Sequence, residues 1–388
     1  MAIIQPVITG GGTTPTGTLP ITNNGTYDVT NYASADVNVP TTAPALYREF
    51  QIEDGKLIPN KTTTHIMNFT GITSVDAEML AYAYYKNHSI TGVVDMSDIQ
   101  YLEQNRCAMR AFMECTGITG VDLSSLKYIG YSNRGTDACN WMFNGCSNLV
   151  TANLSSLTHI YASGSATQML ANCPLLTTVN IGNLKEIWSS AATYMFASDT
   201  SLQNISLDSL VVIYDRGCMG MFWSDTGLTN VGLASLTTIT DSYTCSQMFD
   251  GCTSLSSLSF PSLGSNSFGS YKNQFYKMLN GVTGCTVHFP SNLQSVLSTW
   301  SDVTNGFGGT NTTVLYDLPA TYTLTGTDTK SYYRNPKYDT ATALGWYDKS
   351  STRATPYYTS GTTDPAVSDT IYSDAACTTA VTTISSIA

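Results

Sequence analysis

The sequence predicts an α/β solenoid, in which one parallel β-sheet and short helical turns are built from a tandem repeat. Four neighbouring units align without gaps: MFNGCSNLVTANLSSLTHI, MLANCPLLTTVNIGNLKEI, MFASDTSLQNISLDSLVVI and MFWSDTGLTNVGLASLTTI. Degenerate copies flank them, and the units start 26 to 32 residues apart at Met79, Ala111, Met142, Met169, Met195, Met221, Met248 and Met278. A period of this length is typical of a solenoid.

Each unit follows the pattern L-x-x-V-x-L-x-x-L-x-x-I, as in Leu176, Val179, Ile181, Leu184 and Ile187. The spacing of two in V-x-L places both side chains on one face of a strand, and the later spacings of three suit tighter turns. One unit cannot bury its own apolar side, whereas stacked units form a continuous core.

The unit starts resemble the BspA-like leucine-rich repeat. Its MF-x-x-C-x-x-L signature is matched by Met142, Phe143, Cys146 and Leu149. The resemblance covers roughly half of the chain and implies a leucine-rich-repeat solenoid. It says little about function, because this repeat is a generic scaffold for adhesion and binding.

We expect three regions along the chain. Residues 1–46 form an N-terminal arm and a small β attachment unit, 47–316 the solenoid, and 317–388 a small β-domain rich in Tyr and Thr. A helix near 290–300 should cap the solenoid, because Leu293, Val296, Leu297 and Trp300 have helical spacing and Ser291 is a candidate N-cap.

The N-terminal unit contains a predicted hairpin at residues 21–39, where apolar residues surround the turn Asn23-Asn24-Gly25. This segment resembles short segments of tail and other virion proteins of phages that infect gut bacteria. The tyrosines of the C-terminal domain have two interpretations. They offer rigid contact area for a ligand, or they pack a thin β-core or the seam of a homotrimer.

Composition excludes several classes of function. The net charge is −11 and no basic run is present, so neither a nucleic-acid groove nor a membrane-binding surface is expected. No apolar stretch approaches the ~20 residues of a spanning helix. The first residues also lack the pattern of a secretory signal, so we expect release within a phage particle, unless a signal has been replaced by a methionine.

The cysteines follow the repeat. Cys115, Cys146, Cys173 and Cys252 occupy one equivalent position, and Asp199 and Asp225 replace them in two units. Such a column favours buried free thiols over disulfides.

The sequence gives little indication of a catalytic site, and we predict no catalytic residue, metal or cofactor. The four histidines, His65, His88, His159 and His288, have no metal-ligand spacing. Asp199 and Asp225 occupy equivalent positions of adjacent units, so the spacing of neighbouring coils should place them about 5 Å apart, which is the carboxylate separation of retaining glycosidases. The simpler interpretation is that each aspartate caps a turn.

Ligand binding is predicted on an aromatic column. Tyr161, Trp188 and Tyr214 follow the last isoleucine of successive units, so the repeat should stack them along one edge. The column is either a structural ladder that shields the core or a platform for a glycan or protein receptor. Further candidate residues of this platform lie in variable loops: Tyr131, Trp223 and Tyr243.

These observations predict a non-enzymatic structural protein of a phage virion, in a fibre, a tail or a capsid decoration. It would act as an adhesin for a host-surface glycan or protein, attach to the virion through its N-terminal unit, and assemble as a homo-oligomer, with a trimer favoured. A polysaccharide-degrading fibre and an exported bacterial surface adhesin remain alternatives.

Overall fold

The structure is a computed structural model, and it describes residues 50–53, 56–59, 69, 71–75, 77, 80–130, 135–264, 267–268, 270–318, 323–334, 340–348, 356–361 and 365–387. The hairpin predicted at 21–39 lies outside these residues. Strands β1 (Phe50–Glu53) and β2 (Lys56–Pro59) pair antiparallel ahead of the solenoid.

The V-x-L residues and their equivalents lie in a series of paired parallel strands, which we call the first ladder of the solenoid. Neighbouring strands are parallel, with Ala152 opposite Val179, for example, and the register shifts by a bulge between Gly92 and Val93 and between His288 and Pro290. Hydrogen bonding groups the strands as β3-β5-β7-β9, β11-β13 and β15-β16-β17. Their bounds are β3 (Gly92–Asp95), β5 (Ile118–Asp122), β7 (Thr151–Asn153), β9 (Thr178–Asn180), β11 (Asn204–Ser206), β13 (Asn230–Gly232), β15 (Ser257–Ser259), β16 (Thr286–Pro290) and β17 (Thr313–Leu318).

A second ladder joins strands of two residues into one six-stranded parallel sheet, in sequence order. The second residue of each strand is Leu or Ile and is fully buried. The strands are β4 (Tyr101–Leu102), β6 (Tyr128–Ile129), β8 (His159–Ile160), β10 (Glu186–Ile187), β12 (Val212–Ile213) and β14 (Thr238–Ile239).

The Met-Phe segments form a third side made of consecutive tight turns. The amide of Met142 donates to the carbonyl of Cys139 three residues back (3.0 Å), while the next amide, that of Phe143, donates to the carbonyl of Met169 in the following coil (2.8 Å). Every fourth residue has a positive φ, as at Trp141 (55°) and Gly145 (75°). The alternation satisfies the backbone of this side without a strand or a helix.

The predicted solenoid, with parallel sheets and few short helices, is confirmed. Two details differ from the prediction. Most coils contribute two strands instead of one, because the final x-x-I residues also pair with the neighbouring coil. The Met-Phe segments are chains of turns instead of helical turns, because alternate amides donate to the next coil.

Columns of identical side chains fill the interior. Phe222 stacks between Phe196 and Phe249, at 5.6 Å from each ring centroid. The cysteines carry free thiols, as predicted, and all but Cys377 are buried. The thiol of Cys146 donates to the carbonyl of Phe112 in the preceding coil (3.1 Å), so the cysteine column also links coils.

Short helices near the C-terminal end of the solenoid replace the single predicted helix. They are a 3₁₀ helix at Ser291–Leu293, α1 (Gln294–Leu297), α2 (Ser301–Thr304) and a 3₁₀ helix at Gly306–Gly308. Pro290, and not Ser291, is the N-cap, and it makes no side-chain cap bond. The helices do not end the array, because β17 follows them and pairs with β16.

The C-terminal residues form a closed antiparallel barrel of six strands. Leu324, Tyr332, Trp346, Ile371 and Ile384 fill it. Both polar aromatic groups in the core have partners, since Tyr332 donates to Asp328 (2.6 Å) and Trp346 to Thr359 (3.0 Å). The strands are β18 (Thr323–Gly326), β19 (Ser331–Arg334), β20 (Ala343–Asp348), β21 (Pro356–Ser360), β22 (Thr370–Tyr372) and β23 (Ala380–Ile387).

The repeat register can be tested at Leu207, which is fully buried beside β11. We expect Leu207→Ala to leave a cavity and lower the free energy of unfolding by about 2–5 kcal/mol in a denaturant titration. Asn204→Ala on the exposed face of the same strand is the control, and it should change stability by less than about 0.5 kcal/mol. Equal effects of the two substitutions would show that the register is wrong.

Candidate functional site

The outer face of the second ladder carries two columns of side chains, because alternate residues of a strand point to opposite sides. The first column holds the first residue of each strand, and the second column holds the residue that follows the buried Leu or Ile. In chain order the columns are Tyr101, Tyr128, His159, Glu186, Val212 and Thr238, and then Glu103, Gly130, Tyr161, Trp188, Tyr214 and Thr240.

Six aromatic rings in these columns form one continuous aromatic strip, with successive centroids 5.2 to 5.8 Å apart. The strip crosses from the first column to the second at β8, where His159 and Tyr161 stack with an interplanar angle of 8°. It therefore runs along five successive coils. Its members are Tyr101, Tyr128, His159, Tyr161, Trp188 and Tyr214.

Trp188 is the most accessible ring of the strip, and 43% of the residue is exposed. Tyr161 meets it at 73°, so the two rings are not stacked face to face. The indole nitrogen donates to the carboxylate of Glu186, two residues back in the first column (3.4 Å). The strip thus offers an aromatic surface that is anchored by neighbouring rings and edged by a carboxylate.

The N-terminal end of the strip is edged by an amine. The amine of Lys127 lies 5.6 Å from the ring centroid of Tyr101 and donates to the side chain of Gln100 (2.8 Å). Lysine and arginine above a ring are attracted by its negative face. The borders of the strip therefore carry both signs of charge.

The structure brings three of the six predicted site residues together. Tyr161, Trp188 and Tyr214 lie in sequence order along the strip. Trp223 lies instead in a Met-Phe turn segment, and Tyr243 makes its ring contact with Tyr276 (5.6 Å). Tyr131 lies outside the described residues.

Sequence reasoning missed Tyr101, Tyr128 and His159. These residues precede the final Leu or Ile of their units, whereas the predicted column follows it. If the alternation of a β-strand had been applied across that Leu or Ile, the residues on either side of it would have been placed on one face. The residues x-x-I were interpreted as a turn, so this alternation was not considered.

Asp199 and Asp225 lie in the interior, and both are fully buried. One carboxylate oxygen of Asp199 accepts from the amide of Cys173 (2.8 Å), and one of Asp225 accepts from the amide of Asp199 (2.7 Å). Each aspartate therefore caps backbone of the preceding coil, as the simpler interpretation predicted. The second oxygen of each carboxyl has no hydrogen-bond partner. Burial raises the pKa of both carboxyls well above the ordinary value of aspartate.

Within the described residues, His, Cys, Asp and Glu side chains form no group of three that could hold a metal ion. The same residues contain no helix with the length and apolar character needed to cross a membrane.

The chain matches no family model and no curated protein. Among solved structures it is similar to a leucine-rich cell surface protein from Faecalibacterium prausnitzii A2-165, with 13% identity and a TM-score of 0.19 over 71% of this chain and 86% of that chain. It is also similar to a chain of the TLR13-ssRNA13 complex, with 12% identity and a TM-score of 0.17. That match covers 57% of this chain and 41% of the other.

The buried carboxyl pair predicts an unusual dependence of stability on pH. Because its pKa values are raised in the folded state, the stability associated with the pair is complete below the ordinary pKa of aspartate and is lost as the pH rises through the raised values. We expect the double substitution Asp199→Cys and Asp225→Cys, which installs the residue found in the neighbouring coils, to raise the melting temperature at neutral pH.

The advantage of the double variant over the original chain should shrink as the pH falls, because the carboxyls are then neutral in both the folded and the unfolded chain. Thermal melts from acidic to neutral pH, in the presence of a reductant, give this difference. An advantage that stays constant with pH would contradict the assignment of raised pKa values to the pair.

Proposed function

We propose that the protein is a non-enzymatic adhesin of a phage particle and that it binds the host-cell surface through the aromatic strip. The observation that carries the proposal is the strip itself, in which rings follow one another along five coils and Trp188 is the most accessible. Exposed aromatic side chains supply much of the energy of protein interfaces at low entropic cost.

The outer face of the first ladder lacks comparable anchors. Its exposed residues are small and polar over the four central repeats: Thr151, Thr178, Asn204 and Asn230. Side chains of this kind rarely dominate binding energy. The contrast between the two outer faces supports the second ladder as the recognition surface.

Attachment to the particle is assigned to residues 1–46, on the strength of their similarity to virion segments and their independence from the repeat. The small β-unit that the sequence predicts there would be too small to fold alone, so it would need a docking surface. A virion protein would supply that surface, and the solenoid would then project its strip toward the cell.

Two exposed tryptophans allow a matched test of the binding surface. Trp188 in the strip is 43% exposed and Trp223 in a turn segment is 41% exposed. We expect Trp188→Ala to weaken binding to host cells about thirtyfold or more, since aromatic hot spots contribute about 2 kcal/mol or more. Trp223→Ala should leave cell binding unchanged.

Cell binding by fluorescently labelled protein, together with melting temperatures, separates the two roles of Trp188. A lower melting temperature with unchanged cell binding would assign the strip to a structural ladder and contradict the proposal. Equal loss of binding in both variants would also contradict it, because Trp223 lies outside the strip.

The attachment role can be tested with a truncated chain that begins near Pro44. We expect this chain to stay folded and to bind cells, because it keeps the solenoid, but to be absent from particles assembled in its presence. Electrophoresis of purified particles measures incorporation. Normal incorporation of the truncated chain would refute the assignment of residues 1–46.

A further inference from the structure

We infer that the ligand of the aromatic strip is an uncharged, extended carbohydrate chain that lies parallel to the solenoid axis. This inference rests on the proposed function and names the chemical class of the receptor. It follows from three properties of the strip, namely its shape, its repeat distance and the polar groups along its border.

The strip is long and narrow. It extends over five coils, which at about 4.8 Å per step is roughly 20 Å. Its width is at most two side chains, those of His159 and Tyr161 in one coil. A stable protein partner buries about 800 Å² on each side, and a strip one or two residues wide is a poor match for that area. A single extended polymer chain fits the shape.

The repeat distance favours a ligand with its own short period. The four steps of the strip from one coil to the next separate ring centroids by 5.2 to 5.8 Å, so the interval hardly changes between coils. The contact of His159 with Tyr161 lies within one coil and is not part of this period. A pyranose ring with its glycosidic link has a length close to one such interval. A linear glycan can therefore offer one sugar ring to each coil, whereas side chains of a folded protein surface have no such period.

The chemistry of the surface also matches a sugar. The axial C–H groups of a pyranose are weakly positive and are attracted by the negative face of an aromatic ring. Polar groups beside the rings recognise hydroxyls, and the strip places the carboxylate of Glu186 beside Trp188 and the imidazole of His159 against Tyr161. A carboxylate can accept more than one hydrogen bond, and an imidazole nitrogen donates to or accepts from a hydroxyl group according to its tautomer.

The charge of the protein favours a neutral glycan over an acidic one. The net charge is −11, and the carboxylate of Glu186 lies beside Trp188 in the fourth of the five coils. A polyanionic capsule would be repelled by both. The amine of Lys127 near Tyr101 offsets this charge at the N-terminal end of the strip.

The test measures how affinity depends on the length of the oligosaccharide. An array of neutral bacterial oligosaccharides identifies a binding sequence, and a series of two to eight units of that sequence is then titrated by calorimetry. We expect affinity to rise with each added unit and to level off near five units, one for each coil of the strip. Failure to bind any neutral oligosaccharide on the array, or affinity that does not depend on length, overturns the inference.

Shortening the strip gives a second and independent measurement. Tyr214→Thr removes the last ring and installs the residue type that Thr240 supplies in the next coil, so the coil keeps a side chain tolerated in this column. The gain in affinity should then level off one or two units earlier, while the shortest oligosaccharides bind as before. Tyr243→Thr, outside the strip, should leave the whole series unchanged. A uniform loss at all lengths in the Tyr214 variant would contradict the axial orientation.

Treated cells separate failure of this inference from failure of the proposed function. Periodate oxidises glycans on the cells and protease removes surface proteins. We expect periodate to abolish binding and protease to leave it intact. The opposite outcome is that protease abolishes binding while periodate does not, with Trp188→Ala still weakening it. In that case the strip recognises a protein, and only the inference of a glycan ligand is refuted. If Trp188→Ala leaves cell binding unchanged, the proposed function itself is refuted.

Discussion

Hydrogen bonding between successive coils is the constraint on which the rest of this structure depends. Each coil must satisfy its backbone against the coil before and the coil after it, and it does so on three sides: two short parallel ladders and one ladder of turns. Buried amides without partners are costly, so the three ladders fix one register for the entire coil. Repeat length varies between the ladders, as in the longer segment from Ile129 to Cys139 compared with that from Ile160 to Ala166, and the first ladder takes up one extra residue as a bulge opposite Gly92 and Val93.

The backbone conformation of the turn ladder costs free energy locally, and only the stacking of coils can offset that cost. Residues with side chains adopt positive φ in it, among them Trp141 (55°) and Tyr194 (54°). Each such residue costs of order 1–3 kcal/mol and persists where the surroundings dictate the conformation. Here the surroundings are the next coil, because the amides of both residues donate to its carbonyls. An isolated repeat would therefore be unstable for reasons of backbone conformation as well as of exposed apolar surface.

Sequence reasoning reached the solenoid because burial recurs at every repeat and so leaves a visible period. It missed the second ladder, since a strand of two residues is too short to show alternation, and the buried residue of each was assigned to a turn. It missed the turn ladder for a different reason. Positive φ is normally signalled by glycine, but Trp141 and Tyr194 occupy such positions here, and only contacts with a neighbouring coil explain them.

Sequence analysis found three of the six residues of the aromatic strip and missed the other three for a related reason. The search followed one repeat position, whereas the strip changes from one column to the other at His159 and Tyr161, which lie on either side of the buried Ile160 in the same coil. A solenoid aligns equivalent residues by its period and nearby residues by the alternation of its strands. Both alignments are needed to see a surface that runs obliquely across the repeat.

This oblique course also reconciles the two roles considered for the aromatic residues. Rings that pack between neighbours, such as Tyr161 between His159 and Trp188, stabilise the coil edges. The same packing restrains the exposed ring of Trp188, so a ligand that bound there would cost less conformational freedom. A structural ladder and a binding platform are therefore compatible on this face, and the half-buried rings supply the rigidity that the exposed ring uses.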